Sequence, residues 1–245
     1  MKLKHIYEIL DEISPFALQE KWDNSGLQVG DWEREIERIY IGIDLDSALI
    51  DTIPPGSLII THHPLIFGKL TSIEYGSYPA KLLVQLIKKD IAHIAMHTNF
   101  DKTHLNSYVA QEVLGVECEG EEFICYFDKE LSFEEALAWV RERFGLTCPC
   151  YVPTSKKIER IALTTGSGGS LLDMVEADLF LTGDLKYHDA MKAKELGIGV
   201  IDIGHFESER YFGSALQEQL KKRDIQAIIA TIKNPLKVMD ERVHQ

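Results

Sequence analysis

Histidine and carboxylate side chains stand together in three short segments of this sequence, and their types and spacing suit metal binding. The segments are residues 61–64 with the pair His62 and His63, residues 97–101 from His97 to Asp101, and residues 205–209 from His205 to Glu209. Neutral imidazole and carboxylate oxygen together form a donor set for first-row divalent ions such as Zn, Mn and Fe. These residues therefore predict a metal site, with a surface histidine or a helix N-terminal carboxylate as the alternative at each position.

Each of these segments follows an apolar run that predicts a buried strand, at residues 58–60, 91–96 and 199–203. In open α/β sheets the carboxyl ends of the strands form the binding crevice, so the strands would deliver these side chains to one rim. Two adjacent histidines on an extended segment would point to opposite sides and could flank a pair of metals, or one could face away. His205 and Glu209 are four residues apart and would share one face of a helix.

Apolar periodicity predicts strands that alternate with helices, which is typical of an α/β fold. A helix is expected at residues 103–114, with Gly115 as its C-terminal stop. Ser132 and Glu135 have the spacing of a capping box at the start of a further helix. Residues 22–30 contain two glycines and are interpreted as a turn-rich loop.

The second half of the chain repeats the pattern of the first, which we interpret as an internal duplication rather than chance similarity. In this alignment His97 falls on His205 and Asp101 falls on Glu209. The predicted fold is therefore two intertwined α/β units with mixed sheets. The predicted domain bounds are 1–125 for a first lobe, 126–198 for a second lobe, and 199–245 for a C-terminal segment that packs back on the first lobe.

The composition places the chain among globular proteins. It has 45% hydrophobic and 27% charged residues, enough apolar side chains to exclude a disordered chain. The net charge of −13 argues against nucleic acid as a partner, because binding to phosphates needs an excess of Lys and Arg. No apolar run is long enough to span a membrane, and no apolar signal segment is present. The four cysteines lack CxxC spacing, so we expect reduced thiols in a cytoplasmic protein.

Other polar residues near predicted strand ends have weaker functional interpretations. Asp44 and Asp46 could contact substrate, but a solvated turn with helix capping is favoured. Residues 165–170 are rich in glycine and could cradle an anion with backbone amides, or form a flexible turn. His188 could lie near the binding cleft or on the surface of a helix.

Five motifs together make the sequence similar to the Nif-three-like family, also known as GTP cyclohydrolase 1 type 2 homologs. The match covers essentially the whole chain, and the motifs that carry it lie at residues 22–27, 61–64, 97–101, 182–184 and 204–209. The family commonly has Glu at the position of Asp184. Some relatives carry an inserted domain that resembles nitrogen-regulatory PII proteins, and this chain is too short to contain it.

The resemblance implies a dinuclear metal site in the cleft between the two α/β units. Two divalent cations, drawn from Zn, Mn, Fe, Co and Ni, would be held by five ligands, with Glu209 as the bridging carboxylate. By resemblance, the ligands are His62, His63, Asp101, His205 and Glu209. The resemblance also implies self-association into a toroidal homohexamer.

The activity implied by the resemblance is hydrolysis of a small-molecule nucleotide, GTP, at C8 of its purine, with release of formate and formation of dihydroneopterin triphosphate. His97 lies four residues before Asp101 and is our candidate catalytic residue, as a general acid or base. The alternative is that His97 only orients Asp101 or a backbone group. Two other functions stay open: a metal-binding, ring-forming scaffold or regulatory protein without turnover, and a different nucleotide or phosphoester hydrolase.

Overall fold

The structure is a computed structural model, and it describes residues 1–238. The strands are β1 (Gly26–Val29), β2 (Arg38–Gly42), β3 (Ser57–Thr61), β4 (Ala92–Ala95), β5 (Glu119–Glu121), β6 (Ile124–Leu131), β7 (Tyr151–Val152), β8 (Ile158–Ser167), β9 (Leu179–Gly183), β10 (Gly199–Asp202) and β11 (Ile228–Ile229). The α-helices are α1 (Leu3–Ile13), α2 (Ser47–Thr52), α3 (Ala80–Lys88), α4 (Thr98–Phe100), α5 (Asn106–Tyr108), α6 (Phe133–Phe144), α7 (Tyr187–Leu196), α8 (His205–Glu209) and α9 (Phe212–Lys221).

Shorter helical turns complete these elements. π-Helical turns at Asp101–Leu105 and Val109–Leu114 alternate with α4 and α5, so residues 98–114 are helical throughout. This helix ends at Gly115, whose φ of 71° lies in the left-handed region, as predicted. 3-10 turns lie at Phe16–Leu18 and Gly169–Met174.

The chain divides into two compact units. The first contains residues 1–104 and 212–233, and the second contains residues 105–211 and the described residues from 234 onward. These bounds differ from the predicted ones. The reason is strand pairing, because β5 and β6 join β8 in one sheet, and β10 pairs with β9 in that same sheet.

A five-stranded mixed sheet in the order β1-β4-β3-β2-β11 organises the first unit. The strands β2, β3 and β4 are parallel, and β1 runs antiparallel to β4. Every residue of β3 is buried, which is why its sequence reads as a continuous apolar run. The Leu82, Leu83 and Leu86 side chains of α3 pack with Ile59 in the core of this unit. This packing holds α3 against β3.

The second unit contains a six-stranded mixed sheet in the order β5-β6-β8-β9-β10-β7. The strands β8, β9 and β10 are parallel, while β7 is antiparallel to β10 and β6 is antiparallel to β8. Phe180 of β9 and Val200 of β10 pack with Ala193 of α7 in its core. The capping box of Ser132 and Glu135 at the start of α6 is present, as predicted.

The two sheets share a connectivity. In each, three parallel strands follow one another in chain order, and an antiparallel strand that precedes them in sequence pairs with the third. This is the arrangement expected of repeated α/β units. The duplication itself stays a prediction.

Two local expectations were wrong. Residues 22–30 contain the strand β1, because Gly26 and Leu27 pair with Ala95 and Ile94 of β4. Cys118 and Cys125 are not reduced thiols but form a disulfide. The antiparallel pairing of β5 with β6 brings the Cα atoms of the two cysteines to 5.8 Å from each other, a distance that a disulfide can span.

Within residues 1–238, the helices are all too short or too polar to cross a lipid bilayer.

Candidate functional site

Three histidines of the first unit form one group at the carboxyl ends of β3 and β4. His62 and His63 follow β3, and His97 follows β4. One ring nitrogen from each of the three lies within 4.8 Å of the others. The adjacent pair does not point to opposite sides as expected for an extended segment, because the backbone bends after Thr61 and the two ring centroids lie 5.0 Å apart.

An oxygen acceptor holds the Nδ1 atom of each of these imidazoles. His62 Nδ1 lies 3.0 Å from the Met96 carbonyl oxygen, and His63 Nδ1 lies 3.0 Å from Asp44 Oδ2. His97 Nδ1 lies 2.8 Å from Asp23 Oδ1. Carbonyl and carboxylate oxygens accept hydrogen bonds, so Nδ1 carries the proton and donates it. The Nε2 lone pair is then the metal-binding one, the arrangement usual for metal-ligating histidines.

Asp101 is the one carboxylate among the predicted ligands of the first unit. It begins the π-helical turn after α4, and its Oδ1 lies 3.4 Å from His62 Nε2. His62 is fully buried and Asp101 is 9% exposed. Burying a carboxylate beside an imidazole is costly without a compensating positive charge, so the pair suits a cation.

The second unit brings His205 and Glu209 together on α8, as their spacing predicted. His205 Nε2 lies 2.9 Å from Glu209 Oε2, and His205 Nδ1 lies 2.7 Å from Asp184 Oδ2. Asp184 therefore orients this imidazole in the same way as Asp44 and Asp23 orient theirs. Glu209 is 3% exposed, so its carboxylate is also a buried negative group.

Hydrogen bonds in the second unit fix the loops that carry these residues. The Asp202 carboxylate accepts from the Leu185 amide and the Gly204 amide, both at 2.9 Å. Ser208 Oγ donates to the Gly204 carbonyl at 2.7 Å, which ties the start of α8 to its own turn. Asp184 and His205 therefore face each other on two anchored segments.

Three amides of the glycine-rich segment 165–170 already donate to side chains of the protein, so they do not form the predicted anion cradle. The amides of Thr165, Gly166 and Gly168 donate to Asn106 Oδ1, Ser208 Oγ and Thr182 Oγ1. Gly166 instead leaves room for the carboxylate of Glu209. A Cβ atom at this position would lie 2.0 Å from Glu209 Oε1. Its φ of +66° also favours glycine.

Asp23 is the best-anchored carboxylate near the first group, and sequence reasoning did not single it out. Its side chain is fully buried and accepts from His97, Ser25 and the amide of Thr98. Burial raises the pKa of this carboxyl, but the hydrogen bonds from His97 and Thr98 outweigh that effect and hold the pKa well below its usual range. Asp23 is therefore a carboxylate at all ordinary pH values and a strong acceptor for His97.

The remaining candidates have separate roles. Asp46 caps α2 by accepting a hydrogen bond from the Leu49 amide at 2.6 Å, which is the capping role favoured from the sequence. Asp44 instead contacts His63. His188 is exposed on α7 and its ring packs edge-on against Tyr187. A signal for Asp44 existed in the sequence, because it follows β2 at the same sheet edge as the histidines.

The fold and these side chains together define a mixed α/β protein with imidazole and carboxylate groups that could hold a metal ion. Residues 1–235 match the family model described as Duf34/NIF3 (NGG1p interacting factor 3), and the chain belongs to this family. The resemblance to the Nif-three-like family is thereby confirmed.

Relatives and solved structures agree with this assignment. A GTP cyclohydrolase 1 type 2 homolog of Campylobacter jejuni is 46% identical over 237 residues, which cover 96% of this chain and 98% of that protein. A GTP cyclohydrolase 1 type 2 of Helicobacter pylori is 38% identical over 240 residues, with coverage of 97% and 99%. The crystal structure of a hypothetical protein of Staphylococcus aureus matches with a TM-score of 0.83 at 25% identity, covering 98% of this chain and 99% of that one.

Proposed function

We propose that this protein is a metal-dependent hydrolase of the GTP cyclohydrolase 1 type 2 kind. It would open GTP at C8, release formate and yield dihydroneopterin triphosphate. The names of relatives at 46% and 38% identity support the reaction. The observation that carries the metal dependence is the repeated orientation of the three ligand imidazoles, His62, His63 and His205, each with Nδ1 held by an oxygen acceptor.

Two divalent cations would be held by the five ligands that the family resemblance implies. By that resemblance, the ligands would be His62, His63, Asp101, His205 and Glu209. Imidazole nitrogen and carboxylate oxygen fit first-row divalent ions, so the residues present agree with such a centre. When bound, a pair of divalent cations lowers the pKa of water and supplies a nucleophile near neutral pH.

His97 is the proposed proton carrier of this reaction. Asp23 fixes the Nδ1 proton of His97, so Nε2 is the atom that can accept a proton and return it. The Asp23 carboxylate also stabilises the imidazolium form while the proton is held. His97 Nε2 would accept a proton from the water that adds to C8 and return it to a purine nitrogen when the bond between that nitrogen and C8 breaks.

The experiment measures formate release from GTP by purified protein loaded with Mn or Zn, together with the metal content of the same sample. We expect activity in the wild type and its loss in His62→Ala, because a buried ligand is removed. His188→Ala changes an exposed histidine of α7 and should retain activity. His97→Gln should lose turnover but keep the metal content of the wild type.

Three results would contradict parts of this proposal. A metal-replete sample that releases no formate would exclude the GTP reaction, and a screen of other nucleotides and phosphoesters would then distinguish another hydrolase from a scaffold without turnover. Metal loss in His97→Gln would make His97 a ligand rather than a proton carrier. Formate release that persists in Glu209→Gln at the wild-type rate would point to a contaminating enzyme.

A further inference from the structure

Two large aromatic side chains of the first unit stay exposed beside the histidine group. Trp22 is 60% exposed and Phe67 is 57% exposed. Their ring centroids lie 5.8 Å apart at an interplanar angle of 51°, so the two rings form an open wedge. Each ring centroid also lies 6.0 Å from that of His97. The wedge therefore borders the proposed proton carrier.

The backbone on both sides of this wedge is fixed by hydrogen bonds. Asn24 Nδ2 donates to the Ile66 carbonyl at 2.7 Å, and the Ile66 amide donates to Gln28 Oε1 at 3.1 Å. These bonds join the segment after Trp22 to the segment before Phe67. A surface held in place before binding loses little conformational entropy when a ligand arrives. The backbone segments that carry the two rings are thus held in place before a ligand arrives.

We infer that Trp22 and Phe67 form the surface on which the purine ring of the nucleotide stacks, and this inference rests on the proposed function. Nucleobases stack on aromatic side chains through their flat faces. Sandwiching a base between two rings needs a separation of about 7 Å, twice the carbon–carbon contact distance. At 5.8 Å the rings are too close for that. The base stacks on one face, with the other ring against its edge.

Charge near the wedge also suits a nucleotide. The chain carries a net charge of −13, yet Lys21 precedes Trp22 and Lys69 lies two residues after Phe67. Both lysines are exposed. The acidic neighbours Glu20 and Asp23 are paired with Lys102 and His97, so the two lysines favour an anionic ligand at that place. An aromatic surface flanked by lysines is complementary to a flat base that carries phosphates.

The experiment measures equilibrium binding of GMP and of inorganic tripolyphosphate to the metal-loaded protein by calorimetry. GMP contains the base, whereas tripolyphosphate contains none. We expect Trp22→Ala and Phe67→Ala each to weaken GMP binding by about ten-fold, the order found when one stacking ring is removed. Binding of tripolyphosphate should not change, which also shows that the variants are folded. Trp22→Phe should keep most of the affinity and Trp22→Leu should not, because only the former retains a ring.

Tyr187→Ala is the matched control, because it removes an exposed ring from the second unit. GMP affinity that is unchanged in both Trp22→Ala and Phe67→Ala would overturn the inference. So would equal weakening of GMP and tripolyphosphate, or a change in oligomeric state showing that a second copy of the chain covers the wedge. GMP binding that depends on Trp22 without formate release would support the stacking surface and contradict only the proposed reaction.

Discussion

The orientation of each histidine of the candidate site is set by a hydrogen-bond partner that lies far away in sequence. Asp23 is 74 residues from His97, and Asp184 is 21 residues from His205. The spacing of the histidines and carboxylates was sufficient to predict which residues could bind metal. It could not predict these partners, because β1, β3 and β4 must first pair before Asp23 reaches His97.

Gly166 lacks a side chain, and this leaves space for the Glu209 carboxylate that pairs with His205. We expect Gly166→Ala to lower metal affinity by about 10–100-fold, the usual loss when a supporting contact of a ligand is disturbed. The reason is that its Cβ would lie 2.0 Å from Glu209 Oε1. Competition with a chromophoric chelator would measure the affinity.

Gly145→Ala is the control for backbone strain. Gly145 has a φ of +69°, close to the +66° of Gly166, but a Cβ there would meet nothing within 4 Å. Both variants should lose about 1–2 kcal/mol in the free energy of unfolding, the cost of a left-handed non-glycine residue. Equal metal affinity in the two variants would contradict the proposed contact.

His93 makes the stability of the first unit depend on pH. Burial lowers the pKa of this imidazole to about 3. Its unfolded value is near 6.5, so between pH 6.5 and 3 the unfolded chain binds a proton that the folded chain does not. The free energy of unfolding should therefore fall by about 1.4 kcal/mol per pH unit as the pH decreases through this window.

Urea unfolding of the wild type and of His93→Gln at several pH values would measure this contribution. Thr61 Oγ1 donates to the His63 carbonyl at 2.6 Å, so His93 Nε2 donates to Thr61 Oγ1, and glutamine can keep that donor. The variant should have the shallower slope. The exposed His188→Gln should retain the wild-type slope, and an unchanged slope in His93→Gln would contradict the assignment.

At the scale of elements, the sequence predicted correctly those features that depend only on neighbouring residues. The end of the helix at Gly115 and the capping box at Ser132 were predicted correctly because both are local devices. The strand β1 was missed, because its partner strand β4 lies far away in sequence. The disulfide was missed for a different reason: Cys118 and Cys125 are seven residues apart, and their spacing does not reveal the pairing of β5 with β6 that brings them together.

The disulfide of the β5–β6 hairpin determines how many cysteines a thiol reagent can label. Cys148 and Cys150 are free and exposed, whereas Cys118 and Cys125 are joined. A thiol reagent should therefore label two cysteines in the native protein and four after reduction and denaturation, as measured by mass spectrometry. Four labelled cysteines without reduction would contradict the disulfide. Cys148→Ser should lower the native count to one and leave the disulfide intact.

At the scale of the whole molecule, the family resemblance leads us to propose a ring of six copies. Sedimentation equilibrium should then give a particle of six 27.8-kDa chains. A monomeric mass over the concentration range used for the activity assay would contradict this assembly. The measurement is independent of turnover, so it would also show whether a protein without activity still forms a ring.

The path of the chain restricts how this molecule can be dissected. It passes from one compact unit to the other after residues 104, 211 and 233. A truncation at residue 211 would therefore remove α9 and β11 from the first unit, along with Phe212, whose ring lies 5.0 Å from those of His62 and Phe100. Chimeras that exchange one half for that of a relative need several junctions, and gene fragments cut at a single point would encode incomplete cores. Neither unit corresponds to one continuous stretch of the gene.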